Sequence, residues 1–145
     1  MLLPALVIAN FFIRKGVDEN VPVTQMKLQN LLFWGQGCYL AMNQGQRLFF
    51  EEFEKWEIGP ICPTVYQMFQ HVQDKPLTEP ADTSLIVSEP SILNFLEWVW
   101  KSYGSYSALD LSSMIQSDPE WQSLPTFKPI PDEIIAQMFA KRLLA

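Results

Sequence analysis

Thr24-Gln25-Met26-Lys27-Leu28-Gln29-Asn30-Leu31-Leu32-Phe33-Trp34-Gly35-Gln36-Gly37, followed by Leu48-Phe49-Phe50-Glu51-Glu52-Phe53-Glu54-Lys55-Trp56 and Gly59-Pro60, decides the fold. Thr24 is an N-cap candidate whose hydroxyl can satisfy an orphan N–H two or three residues on. Leu28, Leu31, Leu32, Gly35, Cys38, Tyr39 and Met42 then recur at the helical period rather than alternating. Gly35 and Gly37 each cost about 1 kcal/mol relative to alanine inside a helix, so another element is expected to pack closely there. After the turn at Asn43 to Gln46, Leu48–Phe50 and Phe53–Trp56 read as two short strands joined at Glu51-Glu52. A two-stranded ribbon is marginal alone and must lie on the helices. Gly59-Pro60 reads as a structural corner that aims the next helix away from the ribbon.

Working outward, apolar spacing predicts a first helix from Leu3 to Lys15 stopped by Gly16. Pro63 starts a helix carrying Val65, Tyr66, Met68, Phe69 and Val72. Pro76 to Ser88 is a surface loop, with Leu85-Ile86-Val87 available to pin it. Ser88-Glu89-Pro90 opens a long helix, expected to be the central one, which Gly104 ends. Ser107 caps a short helix carrying Leu109, Leu111, Met114 and Ile115, residues 118–131 are mostly irregular, and Pro131 begins a last helix. The fold class is mainly α: a single compact domain of about five to seven helices with a small two-stranded β-ribbon.

At 145 residues the chain has the size of one domain. With 48 % hydrophobic and 18 % charged residues it fills a core without staples and leaves aromatic side chains for an interface. A net charge of −6 disfavours direct nucleic-acid binding. The apolar N-terminus lacks a basic flank and is shorter than the ~20 residues of a membrane span, so a cytoplasmic protein is expected.

Chemistry is sparse. Cys38, Cys62 and His71 are the only materials for a thiol site, and the residues flanking the cysteines carry no nucleophile signature. One histidine and two cysteines without CxxC or HExxH spacing build no metal site. The Glu51, Glu52, Glu54 and Glu57 carboxylates read as a solvated face. Neither an enzyme nor a cofactor is expected, although a cytoplasmic thiol enzyme using a Cys/His pair is kept as the alternative. What stands out is the interleaving of Lys27, Gln29, Gln36 and Trp56 with core positions, which marks them as candidate partner-recognition residues.

The order Thr24, Lys27-Leu28-Gln29, Leu31-Leu32, Gln36-Gly37, Leu48-Phe49, Phe53, Trp56, Gly59-Pro60, Val65-Tyr66, Tyr103-Gly104, Ser107-Ala108, Leu111-Ser112 resembles the Panacea antitoxin domain. This is a phage-associated family that includes a SocA-like proteolytic adaptor. The resemblance covers about residues 5 to 121 of a single domain spanning 1–145 and leaves the C-terminal helix, 131–144, unmatched. Asn30 stands where the family has a second lysine, and Ile115 and Gln116 where it has Thr-His. Thr24, Gly59, Pro60 and Tyr66 are the structural part of the motif. The resemblance implies an antitoxin that binds and neutralises a toxin-like protein partner, or delivers it to a protease, with Lys27, Gln29, Gln36 and Trp56 at the interface. A phage- or host-directed binding protein on the same fold is the other reading prompted by Ile115 and Gln116.

Overall fold

The computed structural model describes residues 2–79 and 82–144. Among them are eight α-helices and one two-stranded antiparallel sheet, so the chain is mainly helical with a small ribbon. Helix α1 (Ala5–Glu19) runs past Gly16 and ends where Asn20 turns left-handed at φ 56°, its N–H donating to the Gly16 and Val17 carbonyls. Gly16 is a contact point instead of a stop. A Cβ there would lie 2.6 Å from Val23 Cγ2 and 2.7 Å from the Val21 carbonyl, so the chain leaving α1 folds back against it.

Helix α2 (Gln25–Met42) starts at Thr24, whose Oγ1 accepts a hydrogen bond from the Lys27 N–H at 3.2 Å. It is the central element, a place the spacing alone assigned to the later helix α5 (Pro90–Tyr103). From Gln25 to Leu40 every residue except Met26 and Tyr39 is buried, because α1, α5, α6 (Ala108–Gln116) and α8 (Asp132–Leu144) surround it. At Gly37 a Cβ would sit 2.1 Å from Phe139 Cδ2, so α8 can close on α2 only over glycine. Gly35 lies in ordinary packing space, with Leu48 Cδ2 at 3.9 Å, and carries no such demand.

The ribbon is shifted from its expected place. Strands β1 (Glu54–Trp56) and β2 (Gly59–Ile61) pair antiparallel in the register Glu54–Ile61, Lys55–Pro60 and Trp56–Gly59. Leu48–Phe50 instead joins the N-terminus, with Leu3 N–H donating to Leu48 O and Phe50 N–H to Leu3 O. The reason is burial: Leu48 and Phe49 are closed off from solvent, and the Phe49 and Phe33 rings both pack on Phe53. Gly59-Pro60 therefore belongs to a strand. The turn is Glu57-Ile58, where neither residue takes positive φ, and Gly59 absorbs the conformation at φ 131°.

Helix α3 (Pro63–Phe69) follows Cys62 and leads into a 3₁₀ turn at Gln70–Val72. In the loop, Leu77 is buried with its N–H on Val23 O, and a short α4 (Ser84–Val87) pins the chain through Ile86. Pro80 and Ala81 lie outside the described residues. Ser88 closes α4 by donating to Leu85 O, and Glu89 precedes Pro90 at the start of α5. The stretch expected to be irregular holds α7 (Pro119–Gln122), capped by the Asp118 carboxylate on the Glu120 N–H, with Trp121 buried. No helix among the described residues is long and apolar enough to cross a membrane.

Candidate partner-binding surface

Three of the four residues expected at an interface are inside. Gln29 is fully buried. Its Oε1 accepts the Cys62 N–H at 2.7 Å, while its Nε2 donates to Gln25 Oε1, and Gln25 Nε2 donates in turn to Tyr66 O. This chain ties α2 to the entrance and body of α3. Gln36 does the same one face away: Oε1 accepts the Leu48 and Phe49 N–H groups at 2.7 and 3.2 Å, and Nε2 donates to Phe49 O at 2.8 Å. Lys27, only 6 % exposed, carries its ammonium 5.8 Å from the Trp100 ring centroid, and burial lowers its pKa. The expectation of an exposed polar recognition face on α2 is thus corrected. Backbone passing beside a fully buried helix must find partners, and glutamine side chains supply them.

Trp56 is half-buried and remains at the surface, with Nε1 donating to Glu54 Oε1 at 3.0 Å. Its ring meets Tyr66 at 5.1 Å and Phe127 at 5.9 Å between centroids. Phe127 is 60 % exposed and sits at φ 59°, unusual for a bulky side chain, held there by its N–H on Lys55 O. Two residues on from Trp56, Ile58 is half exposed at the turn, across a groove from Leu109, which is 74 % exposed. Trp56, Ile58, Leu109 and Phe127 were not grouped by sequence reading. Leu109 was read only as one of the apolar residues of a short helix with Leu111, Met114 and Ile115, yet the two-residue step from Leu109 to Leu111 turns it to the opposite face; that angle was the available signal.

The hairpin that carries Trp56 and Ile58 is firmly seated. Lys55 Nζ donates to the carbonyls of Trp121, Gln122 and Leu124 at 2.9, 3.3 and 3.0 Å, satisfying the end of α7. Ser112 Oγ donates to Ile58 O at 3.0 Å and accepts from Gln116 Nε2 at 2.8 Å. Gly59 packs on that same serine, since a Cβ would fall 2.7 Å from its Oγ. The hairpin is a rigid platform for its exposed apolar side chains.

Reactive chemistry is not assembled around it. Burial pushes the Cys38 thiol up to about 12 and the Cys62 thiol up to about 11, so both stay protonated near neutrality. His71 lies exposed on the 3₁₀ turn, with no hydrogen bond to either sulfur among the described residues. Those placements work against an activated Cys/His pair. Among the described residues no group of His, Cys, Asp and Glu is placed to hold a metal ion. A groove of about 590 Å³ between the end of α1 and α5 has Glu19 accepting from Trp100 Nε1 and Glu97 paired with Lys15 at 2.7 Å.

Residues 28–122 match the family model described as antitoxin SocA-like, Panacea domain. A curated relative, the antitoxin SocA of Caulobacter vibrioides (strain NA1000 / CB15N), is 34 % identical over 65 residues, which is 45 % of this chain and 34 % of that protein. The chain therefore spans about a third of the length of the curated relative it matches. No solved structure matches it. The matched residues hold Gln29 and Gln36, the hairpin, Tyr66 and Leu109; Gln25, α8 and Phe127 lie outside them.

Proposed function

The chain belongs to the antitoxin SocA-like, Panacea domain family, and on that premise we propose that it acts in the cytoplasm as an antitoxin, binding a protein toxin directly and neutralising it by contact rather than by catalysis. The family match carries this reading. Support for a location comes from the half-buried Trp56 and the exposed Ile58 on the braced hairpin, with the exposed Leu109 of α6 across a groove from Ile58 and the exposed Phe127 against Trp56. Aromatic anchors on a rigid support suit recognition, because little rotamer freedom is lost on binding. In this reading α2 takes part indirectly, with Gln29 and Gln36 holding α3 and the Leu48–Phe49 segment in place. Occupying the toxin's surface suffices for neutralisation, and handing the bound toxin to a protease would use the same contact.

Co-expression with each adjacent open reading frame tests the reading. The expected outcome is that one neighbour arrests growth alone, is tolerated with this chain, and co-purifies with it. If no neighbour is both toxic and bound, the antitoxin reading falls.

A further inference from the structure

Strand β1 sets its side chains alternately on two sides, so Glu54 and Trp56 share one side and Lys55 takes the other. Lys55 is held there by the carbonyls of Trp121, Gln122 and Leu124, with its ammonium 5.6 Å from the Trp121 ring centroid. On the first side Trp56 Nε1 donates to Glu54 Oε1 at 3.0 Å, and both residues are half-buried. Among the described residues no cation pairs with the Glu54 carboxylate or lies over the Trp56, Tyr66 or Phe127 ring, the exposed Lys128 beside Phe127 included.

The same carboxylate–indole pair occurs a second time in the molecule, there with a cation in place. Trp100 Nε1 donates to Glu19 Oε1 at 3.0 Å, and the Lys27 ammonium stands 5.8 Å from the Trp100 ring centroid. A carboxylate that accepts the indole N–H raises electron density in the ring, and a cation over the ring is attracted by both. Trp100 is buried and takes its cation from its own chain, whereas Trp56 reaches the surface and is accessible to the cation of another molecule. Phe127 adds a second ring 5.9 Å from Trp56. Its φ of 59° is strained for a bulky residue, and because the ring stays 60 % exposed, burial within the free chain does not offset that strain. A net charge of −6 favours the approach of a cation. Arginine fits better than lysine, since a planar guanidinium stacks on aromatic rings while its fork of N–H groups meets a carboxylate; Arg142, 5.2 Å from the Trp34 ring centroid, is the chain's own instance of the stacking.

We propose that Trp56, Phe127 and Glu54 form the seat for an arginine side chain of the protein partner, with the guanidinium stacked on the two rings and donating to the Glu54 carboxylate. The proposal rests on the antitoxin reading for the nature of the partner, but its chemistry can be tested without one. The full chain, labelled with ¹⁵N, is titrated with the blocked pentapeptide acetyl-Gly-Gly-Arg-Gly-Gly-amide and with its citrulline counterpart, whose side chain has nearly the same shape and no charge. The Trp56 indole N–H resonance, identified by its loss in Trp56→Phe, should shift with the arginine peptide, which should bind about tenfold tighter than the citrulline peptide. Glu54→Gln keeps an oxygen for the indole N–H and removes the charge, so in that variant the preference should fall to about threefold or less.

Equal binding of the two peptides to the wild type, arginine-dependent shifts that spare the Trp56 indole, or an undiminished arginine preference in Glu54→Gln each overturns the proposal. The first two are read on the wild type, so instability of a variant does not protect the idea. A toxin complex that keeps its full affinity in Glu54→Gln refutes this seat and leaves the antitoxin reading standing. Arginine-dependent shifts of the Trp56 indole in a protein with no toxic neighbour do the reverse.

Discussion

Replacing Gln36 by leucine keeps the volume of a buried side chain but removes three hydrogen bonds to one passing segment. The Leu48 N–H, the Phe49 N–H and the Phe49 carbonyl all have Gln36 as partner, at 2.7, 3.2 and 2.8 Å, and both residues are fully buried. Each buried backbone group left unpaired costs about 1–3 kcal/mol. The three are adjacent, so one small displacement partly relieves all of them, and a loss of about 3–5 kcal/mol follows. That is a large part of the ~5–15 kcal/mol that holds a domain folded. For a chain of this size it corresponds to a fall of roughly 10 °C in Tm. Urea unfolding followed by far-UV CD measures it directly, with the midpoint moving down and the slope unchanged. A loss below about 1 kcal/mol would refute the assignment of Gln36 as a brace, because it would mean that those groups find water or other partners without it.

Gly59→Val combines a φ of 131° with a Cβ 2.7 Å from Ser112 Oγ, so it should lower thermal stability by several degrees, about 1–3 kcal/mol, read as a calorimetric shift. Lys55→Met leaves three carbonyls at the end of α7 without their cation and should cost about 2 kcal/mol in urea unfolding, with little change in helix content. Both thiols have folded pKa values above the ordinary 9.0, at about 12 for Cys38 and about 11 for Cys62. The folded state then holds more protons than the unfolded one above pH 9, so their contribution is complete below that pH and is lost as pH rises towards 11–12. Unfolding free energies measured from pH 8 to 11 should decline in the wild type and decline less in the Cys38→Ala, Cys62→Ala double variant.

Local signals carried far in this sequence where a short-range interaction decided the outcome. Thr24 and Ser107 cap helices because each hydroxyl meets an N–H three residues on, a relation visible in the chain itself. Pro63 and Pro90 likewise stand in the first turns of their helices. What was not legible depended on the third dimension. Gly16 carries the same helix-stop signal in sequence whether it ends α1 or admits Val23 against it. Leu48-Phe49-Phe50 has strand composition, but Gln36 and Leu3, distant in sequence, take its hydrogen bonds and leave pairing to Gly59–Ile61. Lys27, Gln29 and Gln36 look like surface residues because a polar side chain on a helix is usually solvated. They are inside because α2 is covered on every side, so no dry face can be told from a wet one by its period. The exposed apolar side chains were missed for the converse reason, since Ile58 and Phe127 are apolar and only packing reveals them as uncovered.

The most direct test of the account is the affinity of the toxin complex, measured by calorimetry for the wild type and for Trp56→Ala, Phe127→Ala and Leu109→Ala, with urea unfolding of each free variant alongside. Loss of the Trp56 anchor should weaken binding by about 2 kcal/mol or more, roughly thirtyfold, and the other two truncations should weaken it measurably. Leu109→Ala, being on the outside, should leave the unfolding midpoint where it was. Wild-type affinity in all three variants would contradict the account and move the toxin contact off the hairpin band.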